Sequence, residues 1–166
     1  MATATEQDRA ARPLDPEILA LLPTQGEWTE RDYLWLTDHS NRLVELADGC
    51  IEVLPMPTEK HQAISSYLYL ALLALMQHIG GKVFYSPLRL RIGPGTFREP
   101  ELLLVCSKDD PRRGNRYWEG ADLVVEIVSP DNPARDYETK RKEYAEAGVL
   151  EYWIVDPQGE KIIVLT

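Results

Sequence analysis

The stretch at residues 120–156, GADLVVEIVSPDNPARDYETKRKEYAEAGVLEYWIVD, constrains the fold more than any other part of the chain. It reads as an apolar strand, a helix carrying Lys140, and a second apolar strand. Glu126 stands in the middle of the first strand, flanked by Val124, Val125, Ile127 and Val128. Burying a lone ionised carboxylate costs several kcal/mol unless it is paired, metal-bound or protonated. A metal-binding site of nuclease type answers that demand.

The surrounding sequence supplies the elements of an α/β domain. Residues 29–39, TERDYLWLTDH, open a helix in which Asp32 takes the capping-box position after Thr29, with Tyr33 and Leu36 toward a core. Residues 42–55, RLVELADGCIEVLP, read as a β-hairpin, because Asp48-Gly49 is a strong turn signal between two apolar runs. Residues 58–79 form a long helix. Ile64, Leu68, Ala71, Leu72, Leu75 and Ile79 recur at helical spacing, and Gly80-Gly81 ends it. Strands are expected at 82–85, 88–92, 101–105, 122–129, 151–155 and 161–165, with a helix at 134–147. Strands outnumber helices, one long helix precedes the main sheet and another lies between strands, which gives an α/β or α+β domain with a mixed sheet. Residues 1–14 are polar or small without a period and read as a mobile arm, and a short helix is expected at 16–21. Residues 15–166 then form one domain, a length sufficient for a real core.

Composition weighs on function. Eighteen basic against 27 acidic residues give a net charge of -9, which opposes purely charge-driven nucleic-acid binding. A DNA-directed role must therefore use a local basic patch or a metal ion. Cys50 and Cys106 set no disulfide framework and read as small buried thiols. The sequence shows no signal peptide, and its longest apolar stretch, residues 63–76, is too short to span a bilayer. A cytoplasmic protein without membrane insertion is the expectation.

Phosphodiester cleavage needs a divalent cation on oxygen ligands, a nucleophilic water and a positive group near the phosphate. Glu101, heading one apolar strand, and Glu126, inside the next, form a candidate metal pair, with Lys140 as the cation beside the water. Taken singly, each has a blander reading. Glu101 suits a solvated strand end, Glu126 a structural ion pair, and Lys140 an exposed helix charge. Arg141, Lys142 and Glu143 read as a solvated face. His61 near the start of the long helix is a candidate metal or phosphate contact, and Glu45 in the hairpin has an undecided face. His39 and His78 read as surface residues. Arg89 and Arg91, two apart on one strand face, are candidate phosphate-backbone contacts. Arg98, Arg112, Arg113 and Arg116 could extend them into a basic patch, although ion pairing with nearby acids explains any single one. Trp153 reads as core, and Tyr144 as packing between helix and sheet.

These motifs resemble the Uma-two-type restriction endonuclease family. The resemblance is carried by GADLVVEIVSP, by Asp136, Lys140 and Tyr144 in D-x-x-x-K-x-x-x-Y, and by AGVLEYWIVDP. VELADGCIEVLP, His61 in PTEKHQAIS and FREPELLLV match upstream in the same order, so the likeness runs from about Thr29 to the end. It implies a PD-(D/E)XK nuclease fold with a mixed central β-sheet flanked by helices, a Mg²⁺ (or Mn²⁺) cofactor, DNA as partner, and a homodimer as a compatible assembly. Glu101 falls where the family's aspartate lies, and Glu126 is the acid of the second motif. Lys140 matches a lysine on the following helix. The chain departs from the pattern twice: Pro100-Glu101 replaces Pro-Asp, and Val128 stands where the strand lysine is usual. Two other functions compete with a Mg²⁺-dependent DNA endonuclease. One is a catalytically inactive nuclease-fold binding protein. The other is a small-molecule phosphohydrolase, although Gly93-Pro94-Gly95 reads as a turn rather than a phosphate cradle.

Overall fold

A computed structural model describes residues 20–166. The expected arm at 1–14 lies outside the described residues. So does most of the helix expected at 16–21, whose described end, Ala20 and Leu21, is a turn.

Helix α1 (Glu30–Asp38) begins with a complete capping box. The Asp32 N–H donates to the Thr29 hydroxyl at 3.2 Å, and the Thr29 N–H donates to the Asp32 carboxylate at 3.3 Å. Strands β1 (Val44–Ala47) and β2 (Cys50–Val53) form the hairpin. Asp48 and Gly49 make its two-residue turn with φ of 50° and 69°, the left-handed pair such a tight hairpin requires. Helix α2 (Glu59–Ile79) is capped by Thr58 and closed by Gly80 at φ 82°. It buries Leu68, Leu72 and Met76.

Strands β3 (Lys82–Tyr85), β4 (Leu90–Gly93), β5 (Thr96–Arg98), β6 (Leu102–Val105) and β7 (Leu123–Ile127) follow. The segment expected as one helix at 134–147 divides into a π-helical turn (Arg135–Thr139) and α3 (Lys140–Glu146). Strands β8 (Glu151–Asp156) and β9 (Lys161–Leu165) end the chain.

The strands form two sheets. The five-stranded sheet runs β3-β6-β7-β8-β9, with β7 and β8 parallel and the other pairs antiparallel. This is the mixed sheet flanked by helices. A second, antiparallel sheet runs β2-β1-β5-β4. Side chains alternate across β7. Leu123, Val125 and Ile127 pack with α2 on one face, while Val124 and Val128 pack with Tyr144 and Tyr152 on the other. Trp28, Tyr33, Val44, Leu46 and Phe97 make a third cluster involving α1 and the antiparallel sheet. Tyr33 is fully buried, and its hydroxyl donates to the Val44 carbonyl at 2.8 Å.

One expectation fails at the ends of strands. Cys50 and Cys106 are exposed free thiols, not buried ones. Cys50 opens the outermost strand of its sheet, and Cys106 follows the last residue of β6, so neither has a layer packed over it. Trp153, partly buried, packs against the core cluster beneath α2, and its indole N–H donates to Glu151 at 2.9 Å. His39 and His78 are exposed, as expected.

Candidate functional site

The register of the central strands brings the two expected carboxylates together. Leu102 lies opposite Val125, and Leu103 opposite Val124. Continuing that antiparallel register sets Glu101 across from Glu126, on the face they share with Leu103 and Val124. The two carboxyls lie close enough to perturb each other's ionisation. One Glu101 oxygen accepts from the Ile127 N–H at 3.0 Å, and the other lies 3.0 Å from His61 Nε2 on the first turn of α2. Lys140 Nζ and the Tyr144 hydroxyl both donate to Glu126 Oε1, at 2.8 and 2.6 Å. Lys140 and Tyr144 reach the same oxygen because they lie four residues apart on one helical face.

The electrostatics follow from burial and crowding. Burial raises Glu126 well above the ordinary carboxyl range. Lys140 opposes that rise, and the Glu101 and Asp136 carboxylates add to it. Burial also acts on Glu101, but the hydrogen bonds from His61 and Glu126 hold it below its usual value. Asp136, also buried, is raised. Lys140 is 2% exposed, yet burial does not neutralise it. Glu126, Glu45, Asp136 and Glu101 keep it charged. Glu101 and His61, each about one-fifth exposed, mark an edge where the group meets solvent. Two shallow surface hollows, one near Lys60 and the Asp156–Lys161 turn, the other near Arg141 and Leu165, include none of these carboxylates in their linings.

Glu45 is the residue whose part the sequence left open. It is 1% exposed on β1, with one oxygen 3.0 Å from Lys140 Nζ and the other 3.0 Å from Arg98 Nη1. It also accepts the Glu99 N–H at 3.1 Å. Burial opposes ionisation, but Lys140 and Arg98 hold its carboxyl down at about 2. Four residues, V-E-L-A, were too few to show which face Glu45 takes. A signal was present in its cross-strand partners. The registers place Arg98 beside Glu45 on one side and Glu52 on the other. Cross-strand partners share a face, and all three reach the segment containing the π turn and α3. Arg98 pairs with Glu143, Glu45 with Lys140, and Glu52 with Arg135. An ionic seam thus docks the antiparallel sheet on the helix that carries Lys140. Glu143, expected on a solvated face, is drawn into this seam.

Arg89 and Arg91 are not joined to the carboxylate group by any recorded hydrogen bond. Arg89 donates to Thr37 and Asp38, and Arg91 donates to Glu30. Ion pairs also take up Arg98, Arg112 and Arg116, the last two with Asp110, Asp122 and Asp38. Pairing, rather than an open basic patch, accounts for these arginines.

Among the described residues, no three His, Cys, Asp or Glu side chains form a ready cage for a metal. The Glu101–Glu126 pair still suits a hard cation. It presents two oxygen-donor side chains at facing strand positions, and the burial that disfavours charge on Glu126 is what a bound cation would offset.

The match of residues 30–166 to the Uma2 family, described as "Putative restriction endonuclease", covers most of the chain. The chain belongs to the Uma2 family. No curated protein matches it. A solved structure from Anabaena variabilis ATCC 29413, titled a "putative nuclease belonging to DUF820", is similar, with a TM-score of 0.69 and 23% identity. The similarity covers 82% of this chain and 78% of that one. At that identity the likeness speaks for the fold, which this Uma2 chain shares with a nuclease-like structure. No helix among the described residues is long and apolar enough to cross a membrane.

Proposed function

We propose that this Uma2 chain is a divalent-metal-dependent endonuclease that hydrolyses DNA phosphodiester bonds at a PD-(D/E)XK-type site. The observation carrying the reading is the β6–β7 register that sets Glu101 across from Glu126, with Lys140 Nζ 2.8 Å from Glu126. Glu101 and Glu126 would hold Mg²⁺ or Mn²⁺, which would supply neutralisation of phosphate charge and activation of a water. Lys140, held at Glu126, would position the attacking water. Tyr144 and Glu45 hold Lys140 and Glu126 in place. His61 fixes the Glu101 carboxylate. The protein acts in the cytoplasm on this reading. A homodimer would allow both strands to be cut, and sedimentation with and without duplex DNA checks that assembly.

Calorimetric titration with Mn²⁺ tests the site without a guess at the DNA target. Wild type is expected to bind and Glu126→Gln to lose binding. Cleavage of DNA should fall on the order of a hundredfold or more in Glu126→Gln and in Lys140→Ala. Unchanged cleavage in both variants would overturn the reading.

A second reading is an inactive nuclease-fold binding protein. It is favoured by the enclosure of Lys140 among Glu45, Glu126 and Asp136 at 3.0, 2.8 and 3.8 Å, and by Glu101 in place of aspartate. That reading predicts that wild type takes up no Mn²⁺ at the Glu101–Glu126 pair.

A further inference from the structure

The three bridges of the ionic seam differ in how fully they engage their cation. Arg98 uses Nε and Nη2 on Glu143 and Nη1 on Glu45, so its fork is satisfied. Lys140 has carboxylates on several sides. Arg135 is engaged on one corner only. Among the described residues, its one side-chain hydrogen bond runs from Nη1 to Glu52 Oε1 at 2.6 Å. Its Nε is buried without a partner, and Asp136 Oδ1 is 3.9 Å away, outside hydrogen-bond reach. The Arg135 side chain is 12% exposed, but that of Glu52 is 49% exposed. The guanidinium therefore lies in the field of Glu45, Glu126 and Asp136 on one side, with a solvated carboxylate on the other.

We infer that Arg135 binds the scissile phosphate of this site, its terminal nitrogens Nη1 and Nη2 taking the non-bridging oxygens, and that Glu52 holds Nη1 until substrate arrives. This rests on the nuclease reading for the identity of the anion. The physical need is plain: a phosphate approaching a cluster of carboxylates is repelled unless a cation stands between them. Lys140 is already committed inward. A planar guanidinium whose Nη1 leaves Glu52 can offer Nη1 and Nη2 to two phosphate oxygens as a fork, and charge-assisted pairs of that kind are the stronger ones. A half-exposed carboxylate on a single donor is a weak competitor, because solvent screens it. Other arginines are less suited. Arg91 and Arg112 direct Nε and a terminal nitrogen at Glu30 and Asp110. Arg113 also leaves Nε unpartnered, but it bonds the Lys108 carbonyl and lies over the Trp118 ring.

The test is fluorescence anisotropy of a labelled DNA duplex with Ca²⁺ in place of the catalytic metal, alongside Mn²⁺ calorimetry. Folding of each variant is checked by circular dichroism. Arg135→Ala should weaken duplex binding about tenfold, the loss expected for one charge-assisted contact. Arg135→Lys should fail to restore it, because an ammonium lacks the fork. Glu52→Gln should tighten binding by releasing the guanidinium. Mn²⁺ binding should persist in all three variants. Duplex binding unchanged in Arg135→Ala overturns the assignment. So does Glu52→Gln weakening binding as much as Arg135→Ala, which would make the pair a structural clamp. Absence of duplex binding by wild type also overturns it. A wild type that binds no Mn²⁺ overturns the nuclease reading instead, and the duplex series then judges Arg135 by itself.

Discussion

Lys140 is held by opposing demands: the interior resists its charge, and the carboxylates require it. Removing one member of a buried ion pair leaves the other uncompensated, at a cost of about 3–5 kcal/mol. Lys140→Met should therefore destabilise the protein by about that amount at neutral pH, as read from urea unfolding. A loss below about 1 kcal/mol would mean that the acids around it simply take up protons. Glu99 makes a separate prediction. It is 5% exposed and accepts the Val44 N–H at 3.2 Å. Burial, reinforced by the Glu45 carboxylate, pushes its carboxyl up to about 8 from an ordinary 4.5. Between those values the folded chain retains a proton that the unfolded chain has released, so this residue lowers stability as pH rises through the window. Glu99→Gln, which resembles the protonated side chain, should remove a slope of at most about 1.4 kcal/mol per pH unit. Equal slopes for variant and wild type would show that Glu99 is ionised throughout. Glu45 acts in the opposite direction. Its contribution is present above the ordinary carboxyl value and is lost as pH falls toward about 2.

At the level of elements, the hairpin turn has little tolerance. Gly49 sits at φ 69°, and a Cβ there would meet the Gly26 carbonyl oxygen directly. Gly49→Ala combines left-handed strain with a backbone clash. It should cost more than about 2 kcal/mol, measured by denaturant titration. A neutral effect would mean that the Gly26 loop moves aside freely. Much of this level was legible in the sequence. The Asp48-Gly49 turn, the Thr29 cap, the Gly80 stop and the placement of Glu101 and Glu126 on neighbouring strands all rest on local chemistry that a sequence records. Less could be read where long-range register decides. Whether Glu45 faces a core depends on its pairing with β5, which lies some fifty residues away in the chain. The π turn at Arg135–Thr139 looks like ordinary helix from its composition, and only packing against the sheet reveals the wider turn. Local pattern likewise assigned Glu143 to solvent, because its partner Arg98 belongs to another sheet.

For the whole molecule, the excess of acid at the site links metal binding to folding. Burial raises Glu126 and Asp136, which favours their protonated forms, and a cation competes with protons for the same oxygens. If the site holds a metal, Mn²⁺ should raise the melting temperature, and an excess of chelator should reverse the rise. At a hundred times the dissociation constant the gain is about 2.7 kcal/mol. Glu126→Gln should show no such response, and a rise of equal size in that variant would put the ion elsewhere.

The ionic seam has a consequence for how the protein fails under heat. Lys140 rests on β1 of one sheet and on β7 of the other, through Glu45 and Glu126. Strand β2 is exposed along most of its length, and elements with few buried apolar contacts open at lower free energy than the apolar interior. Partial detachment of the hairpin would separate Glu45 from Lys140 while the five-stranded sheet stayed intact. Inactivation should then run ahead of melting. Amide exchange in β1 and β2 should quicken, and cleavage should disappear, several degrees before the aromatic signal of the core collapses.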